Sequence, residues 1–470
     1  MTEHTIQLFQ KIKAAQQGHL LRFVEILNPE QKDKFIQQLS TINFQQVNEL
    51  AQKYILSPEK KQLDYHLAPV DVIPIPQADV QKQAAKSAKV IGEKMLRDGK
   101  VAALLVAGGQ GSRLGFVGPK GKYKTGPVSD KTLFELHADK LKALEKRYGQ
   151  PILWMIMTSE SNHDETVDYF ETHNYLGLSK EHVFFFKQGM IPALNEDGKI
   201  LMDAIDHVFT NPNGHGGTLF ALRDSGLLDL LKKRGIEEIF YFQVDNVLIR
   251  ICDPYFIGYH VQAHAEMSAK IVRKRDPFEK VGIIGMLNGK VAVIEYSDMP
   301  EDVLMEKNPD GSLTYDAGSV AIHMFQRKFL ERLTSSDLGL PYHVAHKKIP
   351  HVDSNGKRIE PTSPNGYKLE MFVFDAFPLS NGTIIMEVER SDEFSPIKNK
   401  SGEDSLAPAQ QDLMNYHARM LQQAGIHVPF DSEGNVAGTV EISPLFAMDA
   451  DELRQKLPPG FNFKSPLYLE

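Results

Sequence analysis

The sequence contains a single cysteine, Cys252, in 470 residues. One thiol excludes an internal disulfide framework and a zinc site built from several cysteines, which agrees with a reducing compartment. Long apolar runs are also missing, because none approaches the ~18 residues that a membrane-spanning helix needs. The amino-terminal stretch MTEHTIQLFQKIKAAQQ lacks the apolar core and cleavage site of a secretory signal. We therefore expect a cytoplasmic protein with no membrane partner.

Positive charge is not in excess either, since the formal net charge is -8. This balance argues against general binding to nucleic acid or to acidic membranes. Any anionic ligand must then be held by a local cluster of cations and backbone amides. With 42% apolar and 24% charged residues, the chain can bury a large core and is expected to form two or three domains.

The first 90 residues form a predicted helical region that ends in a linker. Apolar residues recur at helical spacing from Thr5 to about Tyr54, and Asn28 is placed to cap a helix that starts at Pro29. The proline-rich stretch SPEKKQLDYHLAPVDVIPIPQADV, residues 57–80, is aperiodic and predicts a linker or strap. A further helix is predicted over about residues 80–98.

From Val101 onward, predicted strands alternate with predicted helices. The strands are VAALLVA, PILWMIMTS, VFFFKQG and IEEIFYFQVDN, and the helices are KTLFELHADKLKALEKRYG, HDETVDYFETHNYLG, GTLFALRDSGLLDLLKKRG and DPYFIGYHVQAHAEM. This alternation indicates an α/β fold with a mostly parallel sheet covered on both faces, and ligands bind such sheets at the carboxyl ends of the strands. The stretch VGIIGMLNGKVAVIEYS predicts a hairpin that turns at Asn288 and Gly289.

The last part of the chain has a different pattern. After about Val388 a loop-rich stretch is followed by a predicted helix, APAQQDLMNYHARMLQQAG, and by short strands around GTVEISPLF. We therefore predict three parts: a helical region and linker over residues 1–90, a catalytic domain over residues 91–387, and a small α+β domain over residues 388–470.

A glycine-rich loop follows the first buried strand in LLVAGGQGSRLG, residues 104–115. Missing side chains would let backbone N–H groups approach a phosphate or a base closely, although a simple tight turn is the alternative. The dinucleotide pattern GxGxxG does not fit the spacing GxGxxxG, and no acidic residue ends a second strand ~20 residues on. The P-loop pattern also fails, so an NAD-dependent oxidoreductase is disfavoured.

Cations lie next to this loop. Arg113 stands within it, and GPKGKYKTG adds Lys120, Lys122 and Lys124. Reaction at the α-phosphorus of a nucleoside triphosphate needs cations on the leaving pyrophosphate. For Lys122 and Lys124 a solvated surface position is the alternative, which fits Arg113 and Lys120 less well.

The motifs together resemble those of a known family. AGGQGSRLG, PKGKY and KTLFELHADKL are similar to the signature of the UTP-dependent sugar-1-phosphate uridylyltransferases, and most similar to the eukaryotic-type UDP-N-acetylglucosamine pyrophosphorylases. Further motifs occur in the family's order: FKQGMIPAL, NGHGGTLFAL, FQVDNVLIRICDPYFIG, HVAHKKIPHVD, NGYKLEMFVFD and RSDEFSPIKN. The resemblance implies a Rossmann-like, GT-A-like nucleotidyltransferase fold. It also implies that UTP and a sugar 1-phosphate react to give a UDP-sugar and pyrophosphate.

The resemblance also implies which residues form the nucleotide site. These are Val106, Ala107, Gly108, Gly109, Lys120, Gln188, Gly214, Asp245 and Lys368. The Gln188 amide would read the uracil edge, and Gly214 would lie against the uridine. Asp245, which ends a strand in VDN, would hold Mg²⁺ (or Mn²⁺) between phosphate oxygens.

The implied sugar site consists of His215, Gly282, Glu295, Tyr296, Ser319 and Lys398. Arg113, Lys120 and Lys398 are the implied catalytic residues, which stabilise charge together with Asp245. No general base is needed, because the phosphate of the sugar 1-phosphate is already an anionic nucleophile. We expect a monomer or a weak homo-oligomer.

Two residues depart from the acetylglucosamine pattern. His215 in GHGG stands where those enzymes typically have asparagine, and GHG is more similar to UDP-glucose and broad-specificity enzymes. Ser319 also replaces a usual asparagine. We predict N-acetylglucosamine 1-phosphate as the substrate, with a UDP-glucose or broad-specificity pyrophosphorylase as the alternative. A non-catalytic nucleotide-sugar sensor is a second alternative.

Two histidines have helical spacing but little else that indicates a metal. His260 and His264 lie four positions apart, without the HExxH frame of a zinc site, and are predicted to be structural. Cys252 is predicted to be an inert, partly buried thiol.

Overall fold

The structure, a computed structural model, describes residues 2–57, 66–296, 298–335 and 339–470. The chain forms two compact units, each assembled from three segments of sequence. The smaller unit comprises Met1–Tyr65, Gln188–Phe220 and Leu338–Asp375, and the larger unit comprises His66–Lys187, Ala221–Asp337 and Ala376–Glu470. The predicted division at residues 90 and 387 stays a prediction.

The helices of the described residues, in chain order, are α1 (Glu3–Ala14), α2 (Pro29–Ser40), α3 (Phe44–Ala51), α4 (Asp79–Arg97), α5 (Leu133–Tyr148), α6 (His163–Thr172), α7 (Gly217–Asp224), α8 (Leu227–Lys233), α9 (Pro254–Gln262), α10 (Glu301–Leu304), α11 (Arg327–Leu333), α12 (Arg390–Glu393), α13 (Leu406–Gln423) and α14 (Ala450–Lys456). Among these residues, no helix has both the length and the apolar character that crossing a membrane requires.

The strands are β1 (Leu67–Pro69), β2 (Val101–Val106), β3 (Leu153–Thr158), β4 (Val183–Lys187), β5 (Met190–Pro192), β6 (Met202–Ala204), β7 (His207–Val208), β8 (Thr210–Pro212), β9 (Glu238–Gln243), β10 (Met267–Arg273), β11 (Ile283–Leu287), β12 (Lys290–Ile294), β13 (Ala317–Gln326), β14 (His343–Lys347), β15 (His351–Val352), β16 (Arg358–Ile359), β17 (Gly366–Glu370), β18 (Thr383–Glu387), β19 (Val440–Ile442) and β20 (Leu467–Leu469).

A mixed sheet forms the centre of the larger unit. Its main path is β1-β11-β13-β9-β2-β3-β4, with β12 on β11, β10 beside β13, and β18 on β10. The neighbours β9, β2, β3 and β4 are parallel, whereas β13 runs antiparallel to β9. Every residue of β2 and β3 is buried, as expected for parallel strands covered on both faces. The predicted α/β fold with a parallel centre is confirmed.

A second apolar cluster lies near the carboxyl terminus of the larger unit. The predicted helix there is α13, and β19 pairs with β20 in parallel. Leu421, Val440 and Leu453 are among the buried residues of this cluster. In PLFAMDADEL, Asp449 caps α14 by accepting from the N–H groups of Asp451 and Glu452.

The smaller unit combines the amino-terminal helices with short hairpins. Asn28 caps α2 in a capping box, as predicted. Within this unit the side chain of Gln38 both donates to Val208 O and accepts from Val208 N–H, at 2.9 Å in each case. The amino-terminal helices are therefore tied to the segment Gln188–Phe220.

Several predicted elements differ from those observed. The helix predicted over residues 217–235 is two helices, because Gly226 adopts a left-handed φ of 75° between α7 and α8. The helix predicted over residues 253–267 ends at Gln262, and the strand β10 begins at Met267 because it pairs with both β13 and β18. The predicted linker contains β1, which pairs with β11.

The predicted hairpin is present. β11 and β12 are antiparallel, and Asn288 and Gly289 have φ values of 52° and 77° in the turn between them. Positive φ at both central residues is typical of the turn that matches the twist of a two-stranded ribbon. Of the predicted linker, residues 58–65 lie outside the described residues, as does Ser297 at the end of the predicted hairpin.

Candidate active site

The carboxyl ends of β2 and β9 lie side by side in the larger unit. Val106 pairs with Gln243 in the parallel ladder, and Val244 N–H donates to Val106 O at 3.1 Å. The glycine-rich loop leaves the sheet after Val106, and Asp245 follows β9. The loop and the acidic residue predicted from separate motifs are therefore brought to the same edge of the sheet, where α/β proteins bind ligands.

The glycine-rich loop is closed by its own backbone. Gly111 N–H donates to Gly118 O at 2.9 Å, and Lys120 N–H donates to Gly109 O at 3.1 Å. The buried Asn162 amide donates to Ala107 O at 2.9 Å and to Gly109 O at 3.3 Å. Within the described residues the N–H groups of Gly108 and Gly109 donate to no protein acceptor, so they are available to a ligand.

Lys120 and Asp245 form an ion pair at this edge. Lys120 Nζ lies 3.1 Å from Asp245 Oδ2, and the two side chains are only 17% and 15% exposed. Lys122 and Lys124 instead pair with Glu165 and Asp130 away from Asp245. Lys120 is thus the lysine of this motif that lies beside the predicted metal ligand.

Arg113 lies in the short 3₁₀ turn Ser112–Leu114. Its side chain is exposed and has no hydrogen-bond or ion-pair partner anywhere in the described part of the chain. A free guanidinium beside a glycine-rich loop is suited to bind a phosphate bidentately.

A segment distant in sequence completes this edge. Ile397 N–H donates to Asp245 O at 3.0 Å. Lys398 is the next residue after Ile397, so its backbone lies close to Asp245. The Lys398 side chain is 43% exposed. Its Nζ lies 3.3 Å from Asp404 Oδ2 and 5.6 Å from the centroid of the Phe394 ring. The structure therefore joins the VDN and SPIKN motifs.

Asn246 holds this segment in place. Its amide nitrogen donates to Glu393 O at 2.7 Å, and its amide oxygen accepts from Ser395 N–H at 3.0 Å. Glu393 in turn accepts from the buried Lys270 at 2.6 Å, and Lys270 also donates to Asp253 at 2.7 Å. Burial raises the pKa of Glu393, and Lys270 opposes the rise.

Three of the predicted sugar residues lie together in the larger unit. Ser319 N–H donates to Gly282 O at 2.8 Å, and a Cβ at Gly282 would lie 3.7 Å from Glu295 Oε1. Because β13 is antiparallel to β9 with His323 opposite Tyr241, Ser319 lies toward the carboxyl end of β9. Tyr296 is 38% exposed.

The remaining predicted residues belong to the smaller unit. Gln188 Nε2 donates to Gly214 O at 2.7 Å. Gly214 has a φ of 85°, and a Cβ there would lie 2.3 Å from Met371 O, so only glycine fits. Lys368 Nζ stands 5.0 Å over the Phe209 ring.

His215 is held in one tautomer. Its ring stacks on Phe372 at 5.3 Å, and Nδ1 accepts from Val373 N–H at 3.2 Å. Burial lowers the pKa of His215 to about 4, and the nearby His343 acts in the same direction. The neutral ring therefore carries its proton on Nε2, which makes Nε2 a hydrogen-bond donor.

His260 and Cys252, for which the sequence predicted no catalytic or metal-binding role, both lie in the protein interior. His260 is buried, with Nδ1 2.6 Å from Ser268 Oγ and Nε2 3.0 Å from Glu238 Oε2. No cluster of three or more potential metal ligands from His, Cys, Asp and Glu occurs in the described residues. Cys252 was predicted to be partly buried but is fully buried, and burial raises the pKa of its thiol.

Sequence reasoning missed Asn162 and Asn246. Both act through hydrogen bonds to the backbone of distant segments, so spacing within the chain carries no signal for them. Asn246 is the last residue of the VDN motif, directly after Asp245, and this position was the signal that could have identified it.

Comparisons with known proteins agree with this arrangement. Residues 44–431 match the family model described as UTP–glucose-1-phosphate uridylyltransferase. The UDP-N-acetylglucosamine pyrophosphorylase of Saccharomyces cerevisiae is 41% identical over 71% of this chain and 72% of its own length. The human UDP-N-acetylhexosamine pyrophosphorylase-like protein 1 is 34% identical over 98% of this chain and 96% of its own.

A solved structure is similar along nearly the whole chain. The UDP-N-acetylglucosamine pyrophosphorylase of Trypanosoma brucei, in complex with an inhibitor, superimposes with a TM-score of 0.79 and 27% identity, covering 97% of this chain and 95% of that one. The chain belongs to the UTP–glucose-1-phosphate uridylyltransferase family, on the branch of the eukaryotic-type UDP-N-acetylglucosamine pyrophosphorylases.

Proposed function

We propose that this protein transfers the uridylyl group of UTP to N-acetylglucosamine 1-phosphate, giving UDP-N-acetylglucosamine and pyrophosphate. Family membership and the names of the relatives support this reaction. The observation that carries the proposal is the Lys120–Asp245 pair, which lies at the carboxyl edge of the sheet with the free N–H groups of Gly108 and Gly109 in the adjoining loop.

The reaction needs no nucleophile from the protein. A phosphate oxygen of the sugar 1-phosphate forms a bond to the α-phosphorus of UTP. The bond from that phosphorus to the bridging oxygen breaks, and its electron pair leaves with pyrophosphate. Arg113, Lys120 and Lys398 stabilise the charge that develops on the phosphates, and the loop amides orient them.

Asp245 fits a magnesium or manganese site of the kind completed by substrate. Mg²⁺ commonly takes one or two protein carboxylates together with phosphate oxygens and water, and Asp245 supplies one carboxylate at a strand end. The ion would neutralise phosphate charge. Lys120 Nζ lies 3.1 Å from this carboxylate, so the cation is next to the proposed metal ligand.

The residues for uridine and sugar are proposed on the same basis. Val106, Ala107 and Gln188 would contact the uridine, with Gly214 packed against it. Glu295, Tyr296 and Ser319 would bind sugar hydroxyls, and Lys368 would bind a phosphate. The close grouping of Gly282, Glu295 and Ser319 supports the sugar site.

A second candidate function is a UDP-glucose or broad-specificity pyrophosphorylase. His215 favours it, because its Nε2–H donates one hydrogen bond, whereas an asparagine amide offers both a donor and an acceptor. Ser319 likewise has a shorter polar side chain than asparagine.

The experiment measures pyrophosphate release with UTP and Mg²⁺ against the 1-phosphates of N-acetylglucosamine, N-acetylgalactosamine, glucose and galactose. We expect the highest kcat/KM with N-acetylglucosamine 1-phosphate. A higher value with glucose 1-phosphate would support the second function. If none of the four sugar 1-phosphates gives pyrophosphate release, the result would support a non-catalytic sensor. The intact set of Arg113, Lys120, Asp245, Lys368 and Lys398 argues against that function.

Three broader expectations complete the proposal. The catalytic fold is of the GT-A-like nucleotidyltransferase type, which the succession β2, β3, β4 and β9 with crossover helices supports. The protein acts in the cytoplasm, as its single cysteine suggests. It works as a monomer or weak homo-oligomer, with UTP, sugar 1-phosphate, UDP-sugar and pyrophosphate as its small-molecule partners.

A further inference from the structure

A cavity of about 360 Å³ lies in the larger unit, lined by residues outside the proposed nucleotide and sugar sites. Its walls come from α5, from the loop that follows Asn246, from α13 and from the loop before α14. Leu144, Leu413 and Met420 make part of the wall apolar. This volume is within the range of pockets that hold small organic ligands.

One wall residue, Lys140, is a partly buried lysine without a carboxylate partner in the described residues. Lys140 Nζ donates to Val247 O at 2.6 Å and to Ile249 O at 3.0 Å. No carboxylate lies within 4.0 Å of it in the described parts of the chain. Burial lowers the pKa of Lys140 to about 7, and the charge of Glu393 only partly opposes this.

Another lysine of the same unit, Lys270, has the carboxylate partners that Lys140 lacks. Lys270 is fully buried and lies 2.7 Å from Asp253 and 2.6 Å from Glu393. Burying a charge is costly unless it is paired and hydrogen-bonded. The fold meets this requirement at Lys270 with two carboxylates and at Lys140 with neutral carbonyl groups alone.

The acids in the cavity wall are already used by other cations. Asp253 pairs with Lys270, Asp449 with Arg147 at 2.9 Å, and Asp451 with Arg454 at 2.7 Å. The fourth, Asp392, is shared by two wall arginines, Arg250 at 3.3 Å and Arg419 at 2.9 Å. Arg250 also lies 4.0 Å from Glu393, so Lys140 is the wall cation that lacks a carboxylate partner in the described residues.

We propose that this cavity binds a small organic anion, whose carboxylate or phosphate group pairs with Lys140 and whose apolar body packs on Leu144, Leu413 and Met420. Two wall residues are close in sequence to residues of the proposed catalytic site. Val247 follows Asp245 and Asn246 directly, and Asp392 precedes the segment that carries Lys398. The site is separate from the proposed nucleotide site but shares its supporting backbone.

Calorimetric titration tests the proposal on the full chain saturated with UDP-N-acetylglucosamine, so that the nucleotide site is occupied. The probes are phenyl phosphate and benzoate, and benzyl alcohol is the uncharged control. We expect at least one of the two anions to bind with a stoichiometry of one per chain and benzyl alcohol not to bind. The tighter anion identifies phosphate or carboxylate as the preferred group. Failure of both anions to bind overturns the proposal.

Variants locate the site. Lys140→Met removes the ammonium and keeps most of the side-chain volume, so we expect the anion to bind at least tenfold more weakly. Lys146→Met is the matched control, because Lys146 is exposed on the same helix, and it should bind as the wild type does. Equal affinity in Lys140→Met and the wild type would sink the proposal.

A second variant guards against misfolding of the first. Ala447→Leu fills the cavity from a wall position that is 2% exposed and leaves every charge in place. It should also weaken binding of the anion, and unchanged affinity would contradict the assigned site. None of these titrations needs turnover, so their failure is distinct from failure of the proposed reaction.

Discussion

Lys120 Nζ lies 3.1 Å from Asp245 Oδ2, and 125 positions of sequence separate the two residues. The pair brings together a lysine from a glycine-rich loop and a carboxylate from the end of β9. Because both side chains are largely buried, the charges interact more strongly than a surface pair would. In the proposed reaction, Lys120 stabilises charge on the phosphates and Asp245 holds the metal ion.

Lys120→Ala is expected to reduce kcat by about 10²–10³-fold, as loss of a charge-stabilising donor typically does. The KM for the sugar 1-phosphate should change far less. Lys122→Ala is the control, because Lys122 pairs with Glu165 instead of Asp245, and its kcat should stay within a few-fold of wild type. Steady-state kinetics measure both, and near-normal kcat in Lys120→Ala would refute its role.

Asn246→Ala removes both hydrogen bonds that hold the segment before Lys398. Since Glu393 O and Ser395 N–H would lose a partner in a buried environment, we expect the free energy of unfolding to fall by about 1–3 kcal/mol. We also expect kcat to fall, because Asp245 and Lys398 would lose their fixed arrangement. Urea unfolding and kinetics measure the two effects.

Asn399→Ala is the matched control for this segment. Asn399 is exposed, and in the described residues its side chain bonds only to Glu403 O, at 2.9 Å, while its backbone bond to Asp404 O is unaffected by the substitution. Its removal should leave stability within about 0.5 kcal/mol of wild type. If Asn246→Ala behaved like Asn399→Ala in both measurements, Asn246 would not position the segment.

Gly214→Ala should destabilise the protein and weaken UTP binding. The added Cβ would lie 2.3 Å from Met371 O at a backbone φ of 85°, and Gly214 O is the acceptor for Gln188. Gly226→Ala is the control, because Gly226 has a similar φ of 75° but no atom within 4 Å of the added Cβ. Strain without a clash costs about 1–2 kcal/mol.

Thermal unfolding and calorimetric titration with UTP compare these two glycine variants. We expect the Tm of Gly214→Ala to fall further than that of Gly226→Ala, and UTP affinity to fall in Gly214→Ala alone. Equal effects of the two substitutions would show that the clash with Met371 is relieved without consequence.

Stability should decrease as the pH falls below about 6.5, the ordinary pKa of histidine. Burial, together with the charge of Lys140, lowers the pKa of His417 to about 3. Between these values the unfolded chain binds a proton that the folded protein does not bind, so acidification favours unfolding. One such histidine contributes up to about 1.4 kcal/mol per pH unit in that window.

His417→Gln tests this pH dependence, because glutamine can still accept from Ile442 N–H without titrating. Urea unfolding at several pH values between 5 and 7 should give a shallower slope for the variant than for the wild type. His137 also has a pKa lowered to about 3 by burial, so the slope should persist in part. An identical slope in both proteins would show that His417 does not contribute.

The sequence by itself determined the elements whose signals are local. Strand β2 and helix α5 were both predicted from the local pattern, and the hairpin turn follows from Asn288 and Gly289. It also indicated the family, because the motifs occur in a fixed order along the chain. These features depend on residues within a few positions of one another, where periodicity and turn chemistry can be read directly.

Only the tertiary structure decided which residues meet. It made β10 a strand through pairing with β13 and β18, where local periodicity had predicted that a helix extends to Met267. It paired Lys120 with Asp245, and it gave Lys270 two carboxylates while leaving Lys140 with carbonyl groups alone. Such contacts join residues far apart in the chain, and their energies depend on burial and on the partner, neither of which a single sequence records.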